Sequence, residues 1–478
     1  MSWSTEVSLS KLTMPQLLLV RAKEAPGRIA MRYKKFGIWN ELNWQQVAER
    51  VKYAALGLYQ LGFKKDDKLA ILADNIPEWP LMELAIHSLR GVCVGIYASS
   101  IREEVDYFLD YCDISFAFCE DQEQSDKVIE SKNIANIKKL IVEDGRGMRE
   151  ELAEEDDPGS PVMSWQTLLD LGRELAAESP KLFESLVAAG HPEDICTFGT
   201  TSGTTGKPKA VMLCHRNYLE MAYLTHQNEQ FGLGDDYLSY LPYAWITEQF
   251  YGIAISLFCG VVINFPESAD TAMSDLKEIG PHHMIGAPRV WEGVQSQVWV
   301  RMDESYPLNR WFYKRMLAIG QKAADYRMRG ASMPLGLALG YRLAHLGLFR
   351  PLKDVLGFLR LKRAYTGGAA LGPDTLKFFQ AIGVNLKQLY GQTEAGITVY
   401  QPNGDVRHET VGKPLTGMDI KISPEGEVLV KSPGICKGYY KREDTFQEAL
   451  TPEGYFRSGD AVILVMMVIS SSSTASAM

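Results

Sequence analysis

From Lys68 onward, short apolar runs alternate with longer amphipathic stretches, the pattern expected of βαβ units and a mostly parallel sheet. LAILA at 69–73 predicts a strand. After Pro77, the residues Trp79, Leu81, Leu84, Ala85 and Leu89 fall at spacings that a helix turns to one side, and Gly91 follows where a C-cap would sit. VCVGIY at 92–97 predicts the next strand, and the alternation repeats with a helix near Arg102 to Tyr111, a strand at Ile114 to Cys119, another helix, and a strand at Lys139 to Val142. The clustered acids, Gly and Pro of 143–161 interrupt this rhythm and predict an exposed insertion. A second α/β block is expected from about Asp194 to Val399. A β-rich piece should follow it, where Pro-Glu-Gly and Ser-Pro-Gly turns separate short strand runs. The expected fold is therefore α/β, with two doubly wound parts at 1–193 and 194–400, a smaller β-rich part at 401–460 and an aberrant tail at 461–478. Between Arg301 and Leu361 lies a helix-rich, basic and aromatic stretch that reads as a solvated amphipathic surface or as a membrane-facing patch.

Composition narrows the function classes. The chain has 478 residues, a net charge of −9 and 46% hydrophobic residues, which suits a globular protein with a large core rather than a disordered one. The acidic balance disfavours nucleic acid as a partner, because phosphate binding needs clustered Lys and Arg. Seven cysteines without a C-x-x-C pair read as reduced thiols, so the default compartment is the cytoplasm. No secretory leader is recognisable, and no run reaches the ~20 apolar residues that span a bilayer, so membrane contact is expected to be peripheral if it occurs. His282 and His283 are adjacent and point different ways on a helix or a strand, which argues against a metal pair.

Four segments carry chemistry. In TFGTTSGTTGKPKAVMLCH (197–215), small residues, hydroxyls and backbone N–H groups can fold around phosphate oxygens, and Lys207 and Lys209 add positive charge. A Walker A loop is excluded, since Thr201 stands where Gly is needed and Pro208 where Ser or Thr is needed. RAYTGGAALGPD (363–374) predicts a strand running into small residues and a helix start at Gly372-Pro373-Asp374. It reads equally as a flat-ligand site or a packing turn. LKQLYGQTEAG (386–396) ends an apolar strand with Tyr390, a ring able to stack on a base, and then offers Thr393 and Glu394 for phosphate and Mg²⁺. In GYFRSGDA (454–461), Asp460 could accept the hydroxyls of a ribose.

In combination and in this order, the four segments resemble the acyl-adenylate-forming superfamily over about Trp44 to Asp460, and LPYAWITEQFYG (241–252) and IGAPRVWEGV (285–294) look most like its long-chain fatty acyl-CoA synthetase branch. The resemblance implies the large N-terminal domain of the adenylate-forming fold. It also implies activation of a long-chain fatty acid by Mg·ATP to an acyl-adenylate, then transfer to CoA. By position it implies that Thr201, Ser202, Gly203, Thr204, Thr205, Gly206 and Lys207 wrap the phosphates. Gly368, Ala369, Ala370 and Gly391 would line the nucleotide site. Tyr390 would stack on adenine, Thr393 would touch the α-phosphate, Glu394 would hold Mg²⁺ and Asp460 would bind ribose. Thr393, Glu394 and Lys207 are the expected catalytic residues, and Trp245, Tyr243 and Gly368 are expected to border the acyl substrate.

Three departures from the family pattern qualify that reading. Lys209-Ala210 replaces Lys-Gly after the loop, and Trp245 replaces His in the L-P-x-x-H motif, where it reads as a core aromatic or as a gate. After Asp460 the chain reads AVILVMMVISSSSTASAM, unlike the family's small C-terminal domain with its catalytic Lys. The expectation from that tail is a truncated or frameshifted chain with impaired thioester formation. A noncatalytic nucleotide- or acyl-binding remnant and an enzyme for another carboxylic acid are the alternatives.

Overall fold

The computed structural model describes residues 7–153, 160–201 and 208–461. Two large sheets and one small sheet organise it. The first sheet runs Gly438–Tyr439, Lys209–Cys214, Ile195–Thr201, Val92–Ile96, Lys68–Leu72, Ile114–Cys119, Lys139–Val142 and Val162–Ser164. From Ile195–Thr201 onward, adjacent pairs are parallel. Its strands are apolar on both faces for a reason visible in their alternation. Leu69, Ile71, Phe116, Phe118 and Ile141 face one core cluster, while Ala70, Leu72, Ala117, Cys119, Leu140 and Val142 face another. Helices on both sides cover the sheet, which is the doubly wound arrangement.

The second sheet runs Lys413–Pro414, Gly396–Tyr400, Leu386–Gln392, Arg363–Thr366, His283–Gly286, Asp236–Leu238, Val262–Phe265, Ile29–Lys35 and Ile38–Asn43. The sheets do not follow the division expected at 193/194. Ile29–Lys35 lies parallel to Val262–Phe265 in the second sheet, and Ile195–Thr201 lies parallel to Val92–Ile96 in the first. Strand neighbours are chosen by which apolar face can be covered, not by order along the chain. The third sheet joins Asp419–Ile422, Glu427–Lys431 and Phe456–Ala461.

Two local expectations are corrected. The left-handed residue after the Glu78–Ser88 helix is Arg90 (φ 60°), whose guanidinium forms a two-pronged pair with Asp194 at 2.8 and 2.9 Å. Gly91 serves packing instead: a Cβ there would lie 2.3 Å from the Phe63 ring. The 143–161 segment is not wholly an exposed insertion, because Met148 and Ser160 are buried, while residues 154–159 lie outside the described residues.

Candidate active site

The site begins with strand ends. The hairpin Leu386–Gln392/Gly396–Tyr400 is tight because two glycines let it be: a Cβ on Gly391 would lie 2.4 Å from the Gly396 carbonyl oxygen, and Gly396 adopts φ 71°. Its tip presents Thr393 and Glu394. The strand expected to end at Tyr390 thus turns back through YGQTEAG as a hairpin. Gly199, in the Ile195–Thr201 strand, sits under that tip, and a Cβ there would lie 2.6 Å from the Thr393 methyl. Glycine at 199 therefore lets a strand of the first sheet meet the tip from the second.

Between them lies a cavity of about 600 Å³. Its polar lining includes Thr201, Lys209, Thr393, Glu394, Glu427 and Asp460, and its apolar lining includes Trp245, Ile246, Phe250, Ile285 and Leu389. Glu394 is half-buried, and its Oε1 accepts a hydrogen bond from the Tyr439 hydroxyl at 2.9 Å. Burial and this carboxylate together push the Tyr439 phenol well above its usual range, so it stays a donor. The Lys209 ammonium stands 4.6 Å from the centre of the Tyr439 ring. Asp460 accepts from the Tyr390 hydroxyl at 2.7 Å, and burial followed by this bond raises the Tyr390 phenol. Glu427 holds the segment leading to Asp460, pairing with Arg457 at 3.0 Å and accepting from the Gly459 N–H at 3.1 Å.

Of the residues expected from sequence, Thr201, Trp245, Gly368, Gly391, Thr393, Glu394 and Asp460 line this cavity. Tyr390 reaches it through Asp460, whereas Ala369 and Ala370 are absent from the lining. Ser202, Gly203, Thr204, Thr205, Gly206 and Lys207 lie outside the described residues; in sequence they fall between Ile195–Thr201 and its antiparallel partner Lys209–Cys214. Tyr243 is placed elsewhere: it is fully buried and stacks on Trp79 at 5.6 Å. Trp245 lines the cavity at the start of the Ile246–Gln249 helix, which continues as the buried π-helical turn Phe250–Ile255. Sequence reasoning did not place Tyr439, Glu427 or Arg457 at the site. No motif marks them, because they arrive from the Gly438–Tyr439 strand and the small sheet, far away in sequence.

The donor set fits Mg²⁺ carried on a nucleotide. Among the described residues no three His, Cys, Asp or Glu side chains are grouped to hold an ion. A Mg²⁺ on Glu394 would therefore take its other ligands from phosphate and water, as that ion commonly does.

Comparison with known proteins comes to the same family. The family described as AMP-binding enzyme matches residues 18–440. The chain is 27% identical over 471 residues to a long-chain-fatty-acid–CoA ligase, ACSBG2, of Xenopus laevis, covering 96% of this chain and 62% of that protein. It is 27% identical over 452 residues to fatty acyl-CoA synthetase A of Dictyostelium discoideum, covering 89% and 63%. The chain thus spans less than two thirds of the length of these relatives. The crystal structure of a long-chain-fatty-acid-CoA ligase (FadD1) from Archaeoglobus fulgidus superposes with a TM-score of 0.67 at 16% identity, covering 96% of this chain and 82% of that one, which shows a shared fold.

Proposed function

The chain belongs to the AMP-binding enzyme family, and on that premise we propose that it activates a long-chain fatty acid with ATP, forming an acyl-adenylate and pyrophosphate, and passes the acyl group to CoA with release of AMP. The observation that carries this reading is one cavity whose lining holds both Thr393, Glu394 and Asp460 and the apolar side chains of Trp245, Ile246 and Phe250. The acids that line the cavity, Glu394, Glu427 and Asp460, come from the hairpin tip and the small sheet, and none comes from the segment that carries Trp245, Ile246 and Phe250. An amino-acid substrate would want a carboxylate beside its ammonium among those apolar side chains. Glu248, the acid nearest in sequence, is buried and bonded to the Tyr237 hydroxyl at 2.6 Å instead. An alkyl chain needs only apolar surface, at ~0.8 kcal/mol per buried CH₂.

The mechanism is mainly alignment and charge neutralisation. The attacking carboxylate and the triphosphate repel one another, and Mg²⁺, when bound, supplies part of the compensating charge. Lys209, with Lys207 two positions before it in sequence, supplies more. Thr393 donates toward the α-phosphate, and Asp460 orients the ribose. Glu394, held by Tyr439, presents its carboxylate toward the metal. Trp245 borders the acyl chain and limits its entry. No protein nucleophile is required.

ATP–pyrophosphate exchange tests this reading. Palmitate should drive exchange, and Glu394→Ala should lower it by ~10²–10³-fold while weakening nucleotide binding far less. Exchange driven better by an amino acid than by palmitate would overturn the substrate class, and unchanged exchange in Glu394→Ala would remove Glu394 from its role.

A further inference from the structure

The helix Leu335–Ala344 is rich in leucine, yet Ala344 is its one buried residue. Leu335, Leu339 and Leu343 are between 61 and 90% exposed. At 3.6 residues per turn they fall within ~80° of arc and form a stripe rather than a scatter. Leu346 extends it onto the following turn. Gly347, next to Leu346, lies against Phe312 of the Pro307–Met328 helix, where a Cβ on it would come within 3.3 Å of that ring, and Leu308 and Trp311 of the same helix are exposed.

Charge says what this face suits. Between Arg301 and Leu361 there are eleven Lys and Arg against four Asp and Glu, in a chain whose overall balance is −9. Lys314, Arg315, Lys322, Arg342 and Arg350 are all exposed. No ion pair engages any of them among the described residues. Arg342 adjoins the leucine stripe, so free cations border an apolar strip that would otherwise face water. Contiguous exposed apolar surface marks an interaction site, and an apolar helical face bordered by Lys and Arg is the composition that lies in an anionic lipid interface. Among the described residues no helix is long and apolar enough to cross a membrane.

We propose that this protein docks peripherally on anionic lipid bilayers through the leucine stripe of Leu335–Ala344 and the cations around it. The surface is separate from the cavity: the Leu335–Ala344 helix packs on Pro307–Met328, which in turn packs on the Pro288–Asp303 helix. The Pro288–Asp303 helix starts next to Gly286 in the cavity wall, and its far end, about 24 Å away at 1.5 Å per residue, carries exposed Trp299. Docking would hold the cavity near a source of apolar acids. The binding itself requires neither ATP nor fatty acid, so its test is independent of the assigned reaction.

The experiment is co-sedimentation of the full chain with vesicles of phosphatidylcholine alone or with 30% phosphatidylglycerol, at low and high salt. Binding to the anionic vesicles, weakened by salt, is the expected result. The triple variant Leu335→Glu/Leu339→Glu/Leu343→Glu should lose it, and Arg342→Glu/Arg350→Glu should weaken it by roughly tenfold or more. Melting temperatures equal to that of the parent show that the variants are folded. If the triple variant melts early, the charge variant alone decides. Equal binding to both vesicle types, absence of binding, or unchanged binding by the charge variant would each overturn the proposal. A concentration-dependent dimer in sedimentation velocity that the leucine substitutions dissolve, without vesicle binding by the parent, would assign the face to a second copy instead.

Discussion

At the scale of single residues, burial decides more than residue type. Glu248 is fully buried, and desolvation raises its carboxyl to about 8, so the folded chain holds it protonated at neutral pH. A carboxyl whose pKa is higher folded than unfolded stabilises the fold fully below its unfolded value near 4.5 and loses that contribution as pH rises through about 8. His283 works in the opposite sense: burial lowers it to about 3, so its contribution is lost as pH falls below the usual imidazole range. Glu248→Gln should therefore flatten the decline of stability between pH 5 and 9, by on the order of a few kcal/mol at the alkaline end. Denaturant unfolding at several pH values measures this, and parallel pH profiles for parent and variant would show that Glu248 is ionised in the fold. Thr393 and Glu394 stood out in the sequence because a hydroxyl and a carboxylate after an apolar strand suggest phosphate chemistry. Tyr439, which holds Glu394, could not stand out, since its role depends on a contact 45 positions away.

At the scale of elements, small residues set how closely helices and strands approach. The Trp44–Gln60 and Trp165–Glu178 helices cross at a reciprocal pair of glycines. A Cβ on Gly172 would lie 1.8 Å from the Tyr53 carbonyl oxygen, and one on Gly57 would lie 2.3 Å from that of Leu168. Gly172→Ala must push the helices apart and should cost about 1–3 kcal/mol or more. Gly293 is also helical but meets nothing within 4 Å, so Gly293→Ala should instead stabilise by about 0.5–1 kcal/mol. Thermal melts of the two variants check the contrast, and equal shifts would refute the close-packing argument. The βαβ rhythm made the strands and helices between Lys68 and Val142 legible, with several boundaries read to the residue. The hairpin at Thr393–Glu394 was not legible, because its glycines matter only once two strands have paired.

At the scale of the whole molecule, the chain builds its sheets from distant pieces. Met31 is buried in the strand paired with Val262–Phe265, opposite Ile263. Met31→Asp buries an unpaired carboxylate and should cost about 3 kcal/mol or more. Hydrogen exchange should quicken first in Val262–Phe265, more than 200 residues away, before it does in Lys68–Leu72. The reverse order would contradict the pairing.

Sequence by itself determined what local chemistry can determine. Apolar periodicity specified the α/β class, because burial on two faces of a strand or one face of a helix leaves a period of two or 3.6. Residue types at strand ends pointed to phosphate and metal, because few side chains can meet such charges. Only the tertiary structure decided which strands adjoin, that Ile29–Lys35 joins the second sheet, and that Tyr439 and Glu427 close the site. It also turned a basic, aromatic stretch, readable as either surface or membrane patch, into one exposed leucine stripe. Those outcomes depend on which apolar faces find each other in space, a competition among all the segments that no local window of residues contains.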